Sequence, residues 1–445
     1  MGTATRAAPW DFRPRPLQPS VQIAVVRAGP GPGRGQAVVA QAASVARVKR
    51  TYLDAGGRAP LHPAGLAAQT AALDEGWADP RRLHAEGRRA RMLLDAAREV
   101  FAEGLACRPE EVHLGPSHTV ALQHGLLGIA RGRRRAGSGI VLSAVERAAL
   151  HAGAQLVAER HGSWTRPARP GHARSEEAAA HPGAPVPVDR VGRVDLEAWR
   201  AAVGLPGVAL AVLQHANGEV GTVQPLTAAY DATQAAGVPL LVDAGSSLGH
   251  HGIPPAWDAV VADAGDWGAP SPLGVLAVRT RVRMAPDWPE DEDRWFPGGV
   301  PVPAALGAAA ALRATLADQE EAEQRRRRLI GRLRDQVAQR VPDVDVVGDP
   351  EDRLPHVATF SCLYVDGEAL VTELDRRGFA VGSGSACTSS SLEPSHVLAA
   401  MGALTHGNVR VTLSREVTEA EVDRFADELP EAVAQVRRSL GVQGL

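Results

Sequence analysis

Apolar positions along this chain follow two rhythms. Short, nearly unbroken Val/Leu/Ala runs lie at 111–115, 139–143, 208–214, 239–244, 259–264 and 274–279. Each has the length of a strand, and all but 111–115, where Glu111 and His113 interleave with Val112 and Leu114, are nearly continuous, which predicts strands covered on both faces. Between them the apolar residues recur at helical spacing, most clearly over 80–105. Strands alternating with helices predict a mostly parallel α/β sheet. Beyond residue 305 the pattern changes. A long charged helix is expected over 318–341, then a strand at 356–365, a helix at 367–378, and a strand running into a helix over 408–440. That order predicts a smaller α+β domain. A short strand at 51–54 opens the ordered part.

The expected organisation is a disordered extension over 1–48, a first strand segment over 49–64 that packs with the small domain, a large α/β domain over 65–304, and the small domain over 305–445. The extension is rich in Ala, Arg, Pro and Gly and carries no secretory pattern. Residues 161–185 lack periodicity and read as a surface loop insertion. A net charge of −3 gives no reason to expect nucleic acid or a membrane surface as partner. No apolar run reaches the roughly 20 residues that span a bilayer. Three cysteines, Cys107, Cys362 and Cys387, form neither a disulfide framework nor a metal-ligand spacing, so no metal is expected and a reducing cytoplasm is the natural compartment.

Candidate chemistry concentrates in a few segments. Cys387 lies in SGSACTSSSLEPSHVL, where Gly and Ser make a solvated loop on which a thiol could act as nucleophile or sulfur carrier; alone, it could equally be an inert turn cysteine. Asp243 ends a strand in LLVDA, Asn217 sits in HANGEVG, and Arg410 sits in NVRVTLS. In isolation these read as a capping Asp, an Asn-Gly turn and a strand Arg with an ion-pair partner.

Together these segments, with YLDAGGRAPLHP near the start, resemble the cysteine desulfurases of the iron–sulfur-assembly type, within the class V aminotransferases. The resemblance spans nearly all of 50–440 in family order. It implies fold type I of the pyridoxal-phosphate enzymes: a large, mostly parallel seven-stranded sheet domain plus a small α+β domain. It implies that Cys387 takes sulfur from cysteine as a persulfide. It implies further that Asp243 pairs with the pyridine nitrogen of pyridoxal phosphate, Asn217 contacts cofactor or substrate, and Arg410 holds the substrate carboxylate.

The departures from that pattern matter as much. The chain contains a single lysine, Lys49. Counting back from the strand at 274–279, the family's Schiff-base lysine position falls on Asp266, and the histidine before it on Gly265. An aspartate cannot form an imine, and arginine is no substitute. The stacking histidine aligns with Glu146, or with Arg147 one register off. The family's phosphate turn retains Ser117, with Pro116 removing a backbone donor. Ser246 stands where a longer glutamine contacts the cofactor phenolic oxygen. These changes imply a degenerate desulfurase-family protein, with pyridoxal phosphate binding in doubt, acting as a sulfur-relay or partner subunit through the Cys387 loop. The alternative is an active desulfurase that supplies persulfide sulfur. Expected partners are a second copy of the chain, or an intact desulfurase in a heterodimer, together with a sulfur-acceptor protein.

Overall fold

The computed structural model describes residues 50–161, 184–289, 293–383 and 394–441. All six apolar runs form strands: β2 (Val112–Gly115), β3 (Gly139–Leu142), β4 (Val208–Gln214), β5 (Leu240–Asp243), β6 (Ala259–Asp263) and β7 (Gly274–Val278). They make one sheet in the order β2-β7-β6-β5-β4-β3. The neighbours from β3 to β6 run parallel, while β7 is antiparallel to both of its neighbours. Every residue of β4, β5 and β7 is buried, as two covered faces require.

Among the described residues this sheet has six strands rather than the seven expected. Beyond β3 it continues only as a single parallel bridge, Ser143 to Val186. Pro185 and Pro187 flank Val186 and carry no N–H, so a full ladder cannot form there.

β2 runs parallel to β3–β6, because two antiparallel steps separate it from β6. The loops after β2, β3, β4, β5 and β6 therefore gather at one edge of the sheet. Helix α1 (Pro63–Glu75) was not visible in the pattern, because its Ala-rich sequence has no apolar stripe. The periodic stretch over 80–105 yields helix α2 (Ala85–Gly104), with His84 as its cap.

A second sheet, in the order β11-β9-β8, comprises β8 (Val344–Val347), β9 (Val357–Cys362) and β11 (Asn408–Thr412). Its core includes Leu329, Ile330, Leu333 and Val337 from the long charged helix, observed as Gln319–Arg340. β1 (Thr51–Tyr52) pairs in parallel with β10 (Phe379–Ala380). Among the described residues, no helix is long and apolar enough to cross a membrane.

Candidate functional site

Asp243 is the last residue of β5 and is 2% exposed. Its Oδ1 lies 2.9 Å from Nε2 of His118 and accepts the Gly245 N–H at 2.8 Å. Its Oδ2 accepts the Arg147 Nε–H at 2.7 Å. The same guanidinium donates through Nη2 to Ser246 Oγ, also at 2.7 Å. Two glycines permit this crowding. A Cβ on Gly245 would stand 2.4 Å from His118 Nε2, and one on Gly218 would stand 2.3 Å from Ser246 Oγ. Burial alone would raise the Asp243 pKa, but the charge of Arg147 and the His118 contact outweigh it and hold the carboxyl well below its usual range.

Of the two residues that sequence aligns with the stacking histidine, Arg147 is the one that faces Asp243. Glu146 turns the other way and is fully buried. Its Oε1 accepts from Ser143 Oγ at 2.7 Å and from the Gln214 N–H at 3.1 Å, while Oε2 has no hydrogen-bond partner. Burial pushes its pKa up to about 8, against those two hydrogen bonds, so the carboxyl is largely neutral at pH 7.

Asn217 is buried, and both ends of its amide are used within the chain. Oδ1 accepts the N–H groups of Glu219 and Val220, and Nδ2 donates to the Val145 carbonyl. Ser117 caps helix α3 (His118–Gly132), its Oγ accepting the Val120 N–H at 3.3 Å.

Asp266 lies on the turn after β6 and is 9% exposed. His250 Nε2 is 3.0 Å from both the Asp266 carbonyl oxygen and its Oδ2. The carbonyl takes the hydrogen bond, and Oδ2 has no hydrogen-bond partner. Nδ1 of His250 sits 2.7 Å from Nη1 of the fully buried Arg326. A guanidinium only donates, so Nδ1 is the acceptor and Nε2 carries the proton. The His356 ring lies against His250, tilted by 31° with centroids 4.0 Å apart.

His250, Asp266 and His356 offer ligand atoms within 4.8 Å of one another. Their arrangement opposes a shared metal ion. Nδ1 of His250 accepts from Arg326, so Nε2 keeps its proton and has no lone pair for an ion.

Arg410, on β11, donates to Asp54 Oδ1 at 3.1 Å, while its Nε lacks a partner. Nearby Glu219 accepts from Ser395 Oγ at 2.6 Å. Burial pushes the Glu219 pKa up to about 7, against that bond and the charge of Arg410. Cys387 lies outside the described residues.

The structure thus brings Asp243 and Ser246 together through Arg147, and places Asp266 beside His250 and Arg326 within electrostatic range of Arg147. Sequence reasoning missed His118, His250 and Arg326. His118 could have been suspected as the first helical residue after a strand. Nothing local marks the pairing of His250 with Arg326, 76 positions apart.

The class-V aminotransferase family matches residues 172–425. A cysteine desulfurase of Cereibacter sphaeroides is 32% identical over 403 residues, covering 88% of this chain and 97% of that protein. One from Archaeoglobus fulgidus is 29% identical over 394 residues, covering 87% of this chain and 97% of the other. Among solved structures, a NifS-like protein superposes with a TM-score of 0.76 at 22% identity, over 87% of this chain and all of that one. The chain is therefore a class-V aminotransferase by family, built on fold type I of the pyridoxal-phosphate-dependent enzymes. Within that class it belongs to the cysteine desulfurase family.

Proposed function

We propose that this chain is a desulfurase-family protein that no longer runs the pyridoxal-phosphate reaction and serves as a partner or sulfur-relay subunit through Cys387. The observation that carries this reading is the state of Asp243. A pyridinium nitrogen needs a free anion to pair with. Here Oδ1 already meets His118 Nε2 and the Gly245 N–H, and Oδ2 takes the Arg147 Nε–H at 2.7 Å. The guanidinium supplies the positive charge that the ring would bring.

The remaining residues point the same way. By the resemblance, position 266 should carry the amine that forms an imine, and it carries a carboxylate. Ser246 is tied to Arg147, and the Ser117 hydroxyl caps its own helix. These residues do not fit pyridoxal phosphate.

In the relay, the Cys387 thiolate attacks the terminal sulfur of a persulfide on a donor protein. The donor's S–S bond breaks and its thiolate leaves, so Cys387 becomes the persulfide and the donor regains its thiol after protonation. No net oxidant is needed. The partner is a second copy of the chain or an intact desulfurase, and a sulfur-acceptor protein takes the sulfur onward in the cytoplasm. The divisions at 49–64, 65–304 and 305–445 belong to the same reading.

The test mixes the purified protein with an active desulfurase and cysteine labelled with radioactive sulfur. Label is expected on the native chain and not on Cys387→Ser. Equal labelling of both excludes the relay. Sulfide released from cysteine and added cofactor by this chain alone excludes the loss of chemistry.

A further inference from the structure

Residue 266 has a structural role that is independent of any sulfur transfer. The helix Gln319–Arg340 contributes Leu329, Ile330, Leu333 and Val337 to the core of the three-stranded sheet. One turn before Leu329 and Ile330 sits Arg326, with no exposed surface. A guanidinium keeps its charge inside a protein, so a buried one needs a compensating anion. Glu323, on the same helix, is an acidic neighbour, but it is already engaged by His251 at 2.8 Å and Arg327 at 3.1 Å.

The other anion comes from the opposite side. Asp266 lies between Ala264 and Trp267, both in the core of the six-stranded sheet, and Trp267 is fixed by its Nε1–H donating to the Ala308 carbonyl at 3.0 Å. His250 spans the gap, accepting from Arg326 at Nδ1 and donating Nε2–H to the Asp266 backbone carbonyl, while the Asp266 carboxylate lies alongside with Oδ2 3.0 Å from Nε2 and no hydrogen-bond partner of its own. His356, its ring packed at a tilt against His250, leads directly into β9 of the three-stranded sheet.

We infer that Asp266, His250 and Arg326 form a buried relay that ties the cores of the two sheets together, so that the position resembling a cofactor anchor now locks the two halves of the molecule. The inference goes beyond the proposed loss of chemistry. An aspartate here is more than the absence of a lysine, because its negative charge answers a buried arginine.

The experiment is a double-mutant cycle on the full chain, read by thermal denaturation and hydrogen exchange. Asp266→Asn and Arg326→Met each remove one charge and leave the other buried, and each should lower the melting temperature by roughly 3–6 °C. The double variant should melt no lower than the worse single one, because both charges are then gone. In Asp266→Asn, amide protection should fall selectively in 319–340 and in β9. Additive melting shifts would overturn the inference, as would an Asp266→Asn protein that melts like the native chain. So would a loss of protection confined to the turn around residue 266. If either single variant fails to fold, a folded double variant still establishes the coupling, and a double variant that also fails refutes it.

Discussion

Replacing Arg147 with methionine isolates the contact on which the reading of the site depends. The change removes the Nε–H at 2.7 Å from Asp243 Oδ2 and the Nη2–H at 2.7 Å from Ser246 Oγ. Asp243, 2% exposed in the native chain, keeps His118 and the Gly245 N–H as its remaining partners. Breaking a fully buried ion pair costs about 3–5 kcal/mol. The Arg147 side chain is 41% exposed, so solvent already screens the pair, and the loss should be about 1–3 kcal/mol. The sign of the pH dependence follows from the depressed pKa of Asp243 in the folded state. Its stabilisation is fully present above the unfolded value of ~3.9 and is lost as pH falls toward the folded value. The variant's Asp243 is less depressed, so the variant has less to lose in acid. Urea denaturation from pH 7 to 2.5 should therefore show a gap between native and variant that is widest at neutral pH and narrows below pH ~4. A gap of constant size, or a variant as stable as the native chain at pH 7, refutes the ion pair as described.

Three further outcomes are expected. Asp266→Lys places a second cation beside the relay to Arg326; it should lower the melting temperature and bind little cofactor, whereas Asp266→Lys with Arg147→His should take up more, as read by absorbance after gel filtration. In Glu146, burial raises the folded pKa to about 8, so its stability contribution falls as pH rises from 4.5 and levels off above 8. Glu146→Gln should therefore gain stability relative to the native chain across that window in pH-resolved melts, and a flat difference would contradict it. Under native conditions an alkylating reagent should label Cys387 before the other thiols, as mass spectrometry can follow, because burial pushes Cys107 to about 11 and Cys362 to about 12.

Five of the strands were legible because a sheet covered on both faces demands continuous apolar runs, while β2, with His113 between Val112 and Leu114, lies on a run that is only partly apolar. Asp243 was legible for the same reason, as the first charge after such a run. Among the described residues the seventh strand is reduced to one bridge, flanked by Pro185 and Pro187. The choice between Glu146 and Arg147 turned on which way the chain rotates as it leaves β3. Adjacent residues there face opposite ways, and only the packed turn reveals which one meets Asp243. The lysine vacancy was plain in the sequence, but its compensation was not. Arg326 sits in a run of four arginines, of which this one alone is fully buried, and the helical period by itself does not separate a buried charge from a solvated one.

The central claim is that the chain has given up the family's cofactor. It is tested most directly by incubating the purified protein with excess pyridoxal phosphate, reducing with borohydride and mapping modified peptides by mass spectrometry. The account predicts a colourless protein after desalting and no cofactor adduct within residues 50–445, which contain no lysine. A yellow protein whose reduced cofactor is found stoichiometrically on Lys49 would contradict it.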